Sequence, residues 1–230
     1  MINRFSKYQI ATGIAIFFHA IGLVGMLFTD NNFFVHSTPF NLLLSFFLLI
    51  WTHPEKNKSF YFFIGIVFIV GFLSEVVGVN TGLLFGDYHY SKILGIQLFQ
   101  VPILIAVNWF IIIYCSGIGT HVLLNKVIHR VAKDYNEPSL KLKAMSVIFD
   151  GASLAVLFDW LMEPVAIKLG FWTWDGDGSV PFYNYFCWLL ISILLLTVFN
   201  FFNFRKENKF AVNLLLTQAL FFLILRTFLK

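Results

Sequence analysis

The chain has 230 residues, of which 59% are hydrophobic and 12% charged, and its mean hydropathy is +0.80. A soluble domain carries about 25% charged residues, so a water-exposed globule is excluded and a lipid-embedded chain is expected. The net charge of +4 would suit a nucleic-acid partner, but the basic residues lie in short segments between apolar runs, where topology and lipid headgroups account for them. No nucleic acid is therefore expected.

About 20 apolar residues cross a bilayer core as a helix. Seven runs meet that length, at about 9–28, 33–52, 60–79, 101–124, 145–169, 183–203 and 210–229. The fold class expected is all-α, a polytopic transmembrane bundle forming one integral-membrane domain over residues 1–230. The segment MINRFSKYQ before the first run has the polarity of a signal peptide, but that run lacks a small-x-small cleavage site and further spans follow it. It reads as a retained helix. With the N-terminus cytoplasmic, the inside connections collect most of the 16 Lys and Arg residues, Arg4 and Lys133 among them. The outside connections then hold Lys92, Lys168, Arg226 and Lys230. This asymmetry predicts a multi-pass protein of the cell membrane, with membrane lipid as its surroundings.

The first span carries a lone His19, which reads more readily as an interhelical hydrogen-bond donor than as a catalyst. The third carries Glu75 near its outer end. The connection after it, residues 80–100, reads NTGLLFGDYHYSKILGIQLFQ and holds Asp87, His89 and Tyr90. The fourth span supplies Asn108 and Trp109. Asp150, Asp159 and Glu163 lie in the fifth, the last two four residues apart and so on one helix face. Pro164 removes a backbone donor and clashes with the carbonyl of Trp160, which predicts a kink beside that pair. The next connection, residues 170–182, reads GFWTWDGDGSVPF and contains Trp174, and the sixth span opens with Asn184 and Trp188. Both connections read equally as an interfacial aromatic belt or as lids over a cavity.

In this topology Glu75, Asn108, Asp159, Glu163 and Asn184 share the outer half of the membrane, with Asp87 and His89 above them. The two amides can simply bond between helices. Intramembrane carboxylates are costly and mark functional sites, and two of them close together in low dielectric leave one protonated. A protonated carboxyl can donate its proton to an electron-rich alkene, and Trp and Tyr faces stabilise the cation that results.

Here the residues resemble a known family. GFLSEVVGVNTGLLFGDYHYSKILGIQLFQVPILIAVNW is similar to the integral-membrane carotenoid biosynthesis proteins, which include the bacterioruberin-type carotenoid hydratases. Their pattern is a Glu ahead of a G-x-x-F-G-x-Y-x-Y segment, then L-G, V-P and a Trp-bearing helix. In this chain those are Glu75, Gly82 to Tyr90, Leu94-Gly95, Val101-Pro102 and Trp109. The second half matches a D-x-x-x-[DE]-P helix at Asp159 to Pro164, a W-x-W loop, and the entry to the next span at Pro181, Asn184 and Trp188. Gly178 stands one position further from Pro181 than the pattern has it. The resemblance covers roughly residues 60–200.

It implies an enzyme that adds water to the terminal double bond of an acyclic carotenoid, with that lipophilic molecule as substrate and other enzymes of carotenoid biosynthesis as partners. Related end-group cyclases share the protonation step. The expected catalytic groups are Asp159 or Glu163 as proton donor and Glu75 to position water. Asp87, His89, Tyr90, Asn108, Trp109, Trp174 and Asn184 are expected to bind substrate. No metal, nucleotide or flavin is expected, because the chain has no phosphate loop and no ligand cluster. Cys115 and Cys187 fall in apolar stretches and form no disulfide framework.

A retinal protein is excluded, since the seventh run contains no lysine for a Schiff base. A magnesium-dependent prenyltransferase would need a second acidic motif that the chain lacks. A proton-coupled transporter is the main non-enzymatic alternative, although no repeat or matched pair of broken helices supports it. A scaffold for pigment assembly is another.

Overall fold

A computed structural model describes residues 5–29, 32–131 and 139–229. Arg4, Lys133 and Lys230, used above to orient the chain, lie outside the described residues.

The elements, in chain order, are α1 (Lys7–Phe28), α2 (Asn32–His36), α3 (Thr38–Thr52) and α4 (Lys58–Thr81). Three short strands follow, β1 (Tyr88–Tyr90), β2 (Gln97–Leu98) and β3 (Val101–Pro102). The chain continues with α5 (Leu104–Val131), α6 (Leu140–Lys168), β4 (Trp172–Trp174), α7 (Phe182–Phe201) and α8 (Lys209–Phe228). Among the described residues six helices, α1 and α4 to α8, are long and apolar enough to cross a membrane. The second apolar run of the sequence is divided instead. Residues 33–52 form α2 and α3, with a proline in the first turn of α3 after Ser37. The 15 residues of α3 rise about 22 Å, short of a hydrocarbon core of about 30 Å.

The helices form a bundle around α5. Buried residues make up 67% of its apolar window, against 28–39% for the other spans, and it packs against α3, α4, α6, α7 and α8. Large apolar side chains such as Phe17, Phe47, Phe62 and Ile69 point outward. Water would penalise such a surface, whereas lipid tails accept it. Helix propensity is not what holds these segments together. In lipid every backbone donor must bond internally, which the helix alone achieves within one segment.

Local sequence sets the ends. Ser6 and Gln9 form a capping box at the start of α1, and Asn57 and Asn208 accept backbone N–H bonds at the starts of α4 and α8. Gly82 ends α4 in the left-handed region at φ 66°, a conformation that costs glycine nothing and a side chain more than a kilocalorie.

The two connections that read as an aromatic belt or as lids contain strands. β1 and β4 pair antiparallel, with Tyr88 opposite Trp174, His89 opposite Thr173 and Tyr90 opposite Trp172, and β2 pairs with β3. This sheet ties the connection after α4 to the one after α6 and fixes both over the same end of the bundle.

The kink expected at Pro164 does not interrupt α6, which runs unbroken from Leu140 to Lys168. The carbonyl of Trp160, deprived of its usual donor, accepts the Arg226 guanidinium at 2.5 Å, and that guanidinium lies 3.7 Å over the Trp160 ring. A basic residue at an awkward place in the topology thus supplies the hydrogen bond that proline removes.

Candidate active site

Strand alternation builds the roof of the site. Side chains two apart in a strand share a face, so Tyr88 and Tyr90 point inward from β1 while His89 points out. Trp172 and Trp174 do the same from β4. All four are largely shielded rather than spread along a headgroup belt. The lid-like reading of these connections is the one the geometry matches.

Beneath the sheet three carboxyl groups line one small void of about 20 Å³, together with Tyr88, Tyr90, Trp172, Trp174, Asn108, Asn184 and Trp188. Glu75 comes from α4, and Asp159 and Glu163 come from one face of α6. Each has a different set of partners. Glu75 accepts three hydrogen bonds: Tyr88 Oη at 2.5 Å and Tyr90 Oη at 2.8 Å on Oε2, and Trp109 Nε1 at 2.9 Å on Oε1. Glu163 accepts two on a single oxygen, Oε2, from Trp172 Nε1 at 2.9 Å and Trp174 Nε1 at 3.0 Å. Asp159 accepts one, from Asn184 Nδ2 at 2.9 Å on Oδ2. Its Oδ1 is buried with no hydrogen-bond partner among the described residues.

The tyrosines are donors throughout. Burial, and then the neighbouring Glu75 carboxylate, push both hydroxyls well above the ordinary tyrosine range, because an ionised phenol there would be desolvated beside a like charge. The indole N–H groups have only a donor to offer. Five O–H and N–H groups are therefore aimed as donors at two glutamates.

Trp109 is packed against α4 at Gly71, where a Cβ would come within 2.6 Å of the indole. Its ring stacks on Trp188 at 3.9 Å and 12°. This aromatic pair adjoins the carboxyl cluster and could face a developing cation.

A second, larger cavity of about 320 Å³ adjoins the first. Ile105, Asn108, Met162 and Trp172 line both. The rest of its wall is mainly apolar and comes from α1, α2, α3, α6, α8 and the two connections, including Phe18, Phe40 and Phe222. A water-sized polar pocket thus communicates with a space suited to a hydrocarbon.

Among the residues singled out from sequence, the fold brings together Glu75, Asp159, Glu163, Tyr90, Asn108, Trp174 and Asn184 around the small void, with Trp109 behind Glu75. Asp87 and His89 are not part of it. Asp87 is exposed and its backbone carbonyl accepts the amide of Asp175 at 3.0 Å. His89 has a side chain 61% exposed and pairs with Asp175 at 3.2 Å on the outer face of the sheet. Asp150 is exposed as well, and bonds Ser146. Sequence reasoning missed Tyr88 and Trp172 as donors, although the Y-x-Y and W-x-W spacings carry the signal. It also missed the contribution of α1, α3 and α8, for which no local signal exists. Among the described residues no group of three or more His, Cys, Asp or Glu side chains is arranged to hold a metal ion.

A sequence model of the family described as carotenoid biosynthesis protein matches residues 36–230. Over 130 residues the chain is 28% identical to the bisanhydrobacterioruberin hydratase of Haloarcula japonica, an alignment covering 55% of this chain and 40% of that protein. The chain therefore aligns with less than half the length of that relative. No solved structure matches the chain. With most of its length covered by the family model, and the residues of the Glu, Y-x-Y, D-x-x-x-E-P and W-x-W motifs converging on one pocket, the chain is a membrane protein of the carotenoid biosynthesis protein family.

Proposed function

We propose that the protein is a carotenoid hydratase of the cell membrane, adding water across the terminal double bond of an acyclic carotenoid. The observation that carries this reading is the unequal hydrogen bonding of the three carboxyl groups around a void with room for about one water molecule. Glu75 and Glu163 receive three and two fixed donors, which hold their oxygens as acceptors. Asp159 receives one donor and keeps a buried, unpartnered oxygen. A proton on Asp159 Oδ1 would satisfy that oxygen and provide the acid.

The substrate's terminal segment would enter from the apolar cavity past Met162 and Asn108. Asp159 gives its proton to the less substituted alkene carbon, and the electron pair of the double bond forms the new C–H bond. The adjacent carbon becomes a tertiary cation, which the Trp188 ring, backed by the stacked Trp109, and the two glutamates stabilise. The water held near Glu75 forms the C–O bond. Its released proton passes to Glu163, four residues from Asp159, and returns to Asp159. The acid is regenerated and the net change is one added water.

A cyclase would use the same first step but would need a cavity that folds the chain back on the cation. A void of about 20 Å³ beside the acid favours water over a ring closure. The test is expression in cells that accumulate lycopene, grown in part in 18O-labelled water. A pigment heavier by one water and carrying the label is the expected result. An isomer of unchanged mass would turn the reading to cyclisation, and unaltered pigment would count against an enzyme acting on that substrate.

A further inference from the structure

The larger cavity carries polar groups for which the proposed proton transfer has no use. His19 from α1, Asn41 from α3 and Gln218 from α8 all line it. His19 and Gln218 are only 5% and 8% exposed. His19 spends Nδ1 on the carbonyl of Ala15 in its own helix, at 2.8 Å, and its ring meets Phe221 edge-on. Its Nε2 has no partner among the described residues. The Gln218 carboxamide likewise has none, and Asn41 Oδ1 is buried without a donor.

A leucine or phenylalanine would fill each of these places without the desolvation cost of an unpaired amide or imidazole. Three such groups from three helices around one cavity therefore imply a ligand that bonds to them. Its chemistry is constrained as well. No Lys, Arg, Asp or Glu lines the cavity, so a phosphate or carboxylate headgroup would be uncompensated there. Amides and a neutral imidazole both donate and accept, which suits a hydroxyl. Depth follows from α8. Arg226 bonds the carbonyl of Trp160, one turn before Glu163, and Gln218 lies eight residues earlier, about 12 Å further along the helix axis.

We infer that this cavity is an oxygen-recognising subsite, in which His19, Asn41 and Gln218 bind a neutral hydroxyl on an acyclic polyene at a level about 12 Å away from the carboxyl groups. The preferred ligand is then an already hydroxylated polyene rather than the plain hydrocarbon. The inference rests on the proposed function only in taking the ligand to be a polyene.

The test uses the full chain in lipid nanodiscs, with quenching of tryptophan fluorescence as readout, since Trp172 lines the cavity. The probes are lycopene and a monohydroxylated lycopene. The hydroxylated probe should bind about tenfold more tightly to the unaltered protein. Gln218→Leu combined with Asn41→Leu should erase that difference while lycopene binding stays within about twofold. Equal affinity for the two probes, a preference that survives in the double variant, or no binding of either would overturn the inference. If the double variant fails to fold, His19→Phe alone must reduce the preference. Asp159→Asn separates the two readings: it should keep the binding preference while losing turnover. A preference without any turnover on any pigment would sink the hydratase and leave the subsite standing.

Discussion

Two buried polar clusters sit at opposite ends of this bundle. Under the sheet, Glu75, Asp159 and Glu163 face indole and phenol donors around a void that opens towards an apolar cavity. At the other end, His53 Nδ1 and the Tyr114 hydroxyl are 2.6 Å apart. Asn208 Nδ2 donates to Tyr114 Oη and Thr52 Oγ1, each at 3.2 Å, while its Oδ1 caps α8. His53 stacks on Phe60 at 3.7 Å and its backbone N–H closes the last turn of α3. None of these residues lines either cavity.

Both clusters bury polar atoms, yet they differ in kind. The second uses neutral groups that bond to one another across α3, α5 and α8, as amides and hydroxyls do when they join helices in lipid, and its one unpartnered atom, His53 Nε2, belongs to a neutral ring stacked on Phe60. The first uses acids, at far greater desolvation cost, and leaves one oxygen unpaired next to empty space. Burial alone therefore does not mark a functional residue in this protein; acidity, unequal pairing and an adjoining cavity together do.

Substitutions at the two ends should therefore separate activity from stability. The largest effect is expected for Asp159→Asn, which keeps the shape but removes the acid. Product formed per molecule should fall by at least about 100-fold, with the thermal unfolding midpoint little changed. Retention of more than a tenth of the rate would shift the donor role to Glu163. Next comes Trp174→Phe, which takes one of two donors from Glu163 and should lower turnover about tenfold, with no change in which pigment is made; wild-type turnover would make the indole a packing group only. Tyr114→Phe, at the opposite end, should reverse the pattern. It should cost about 1 kcal/mol of stability, the scale of an interhelical hydrogen bond in lipid, while turnover per folded molecule stays as it was. A loss of turnover matching that of Asp159→Asn would erase the distinction between the clusters.

The smallest effect is a pH dependence. Burial, and to a lesser degree the charge of Lys56, lowers the His53 pKa to about 4 from the ordinary 6.5. Between those values the unfolded chain binds a proton that the folded protein does not, so stability falls as pH drops from about 6.5 towards about 4. Unfolding midpoints measured across that interval should decline, and His53→Phe should flatten the decline. An unchanged slope in that variant would move the titration to another group.

Much of the architecture is legible from residue order because its cause is local. Apolar runs near 20 residues long become helices in lipid whatever their neighbours, which is why six of the seven expected runs appear as single long helices. The exception, residues 33–52, is broken by Ser37 and a following proline, a local signal that run-length counting ignores. The spacing of Asp159 and Glu163 put them on one face for a reason internal to α6. The outward direction of His89 is not legible from run length, because it depends on a strand at Tyr88–Tyr90 that forms only by pairing with a distant connection. Once Tyr88 to Tyr90 is a strand, period-two alternation sends His89 outward.

The solvent, the helical class and the residue types able to do acid chemistry follow from the sequence by itself, since composition and short-range spacing determine them. Tertiary structure alone decided that Tyr88 and Tyr90 serve Glu75, that Trp172 and Trp174 serve Glu163, and that Asp159 keeps a bare oxygen. It alone decided that Arg226 bonds the carbonyl Pro164 leaves free, and that His19, Asn41 and Gln218 line one cavity. Each of these depends on how one element is rotated and registered against another distant in the chain, and on which donors have already been taken. A hydrogen-bond partner that is missing is a property of the assembled surroundings, and no single segment encodes it.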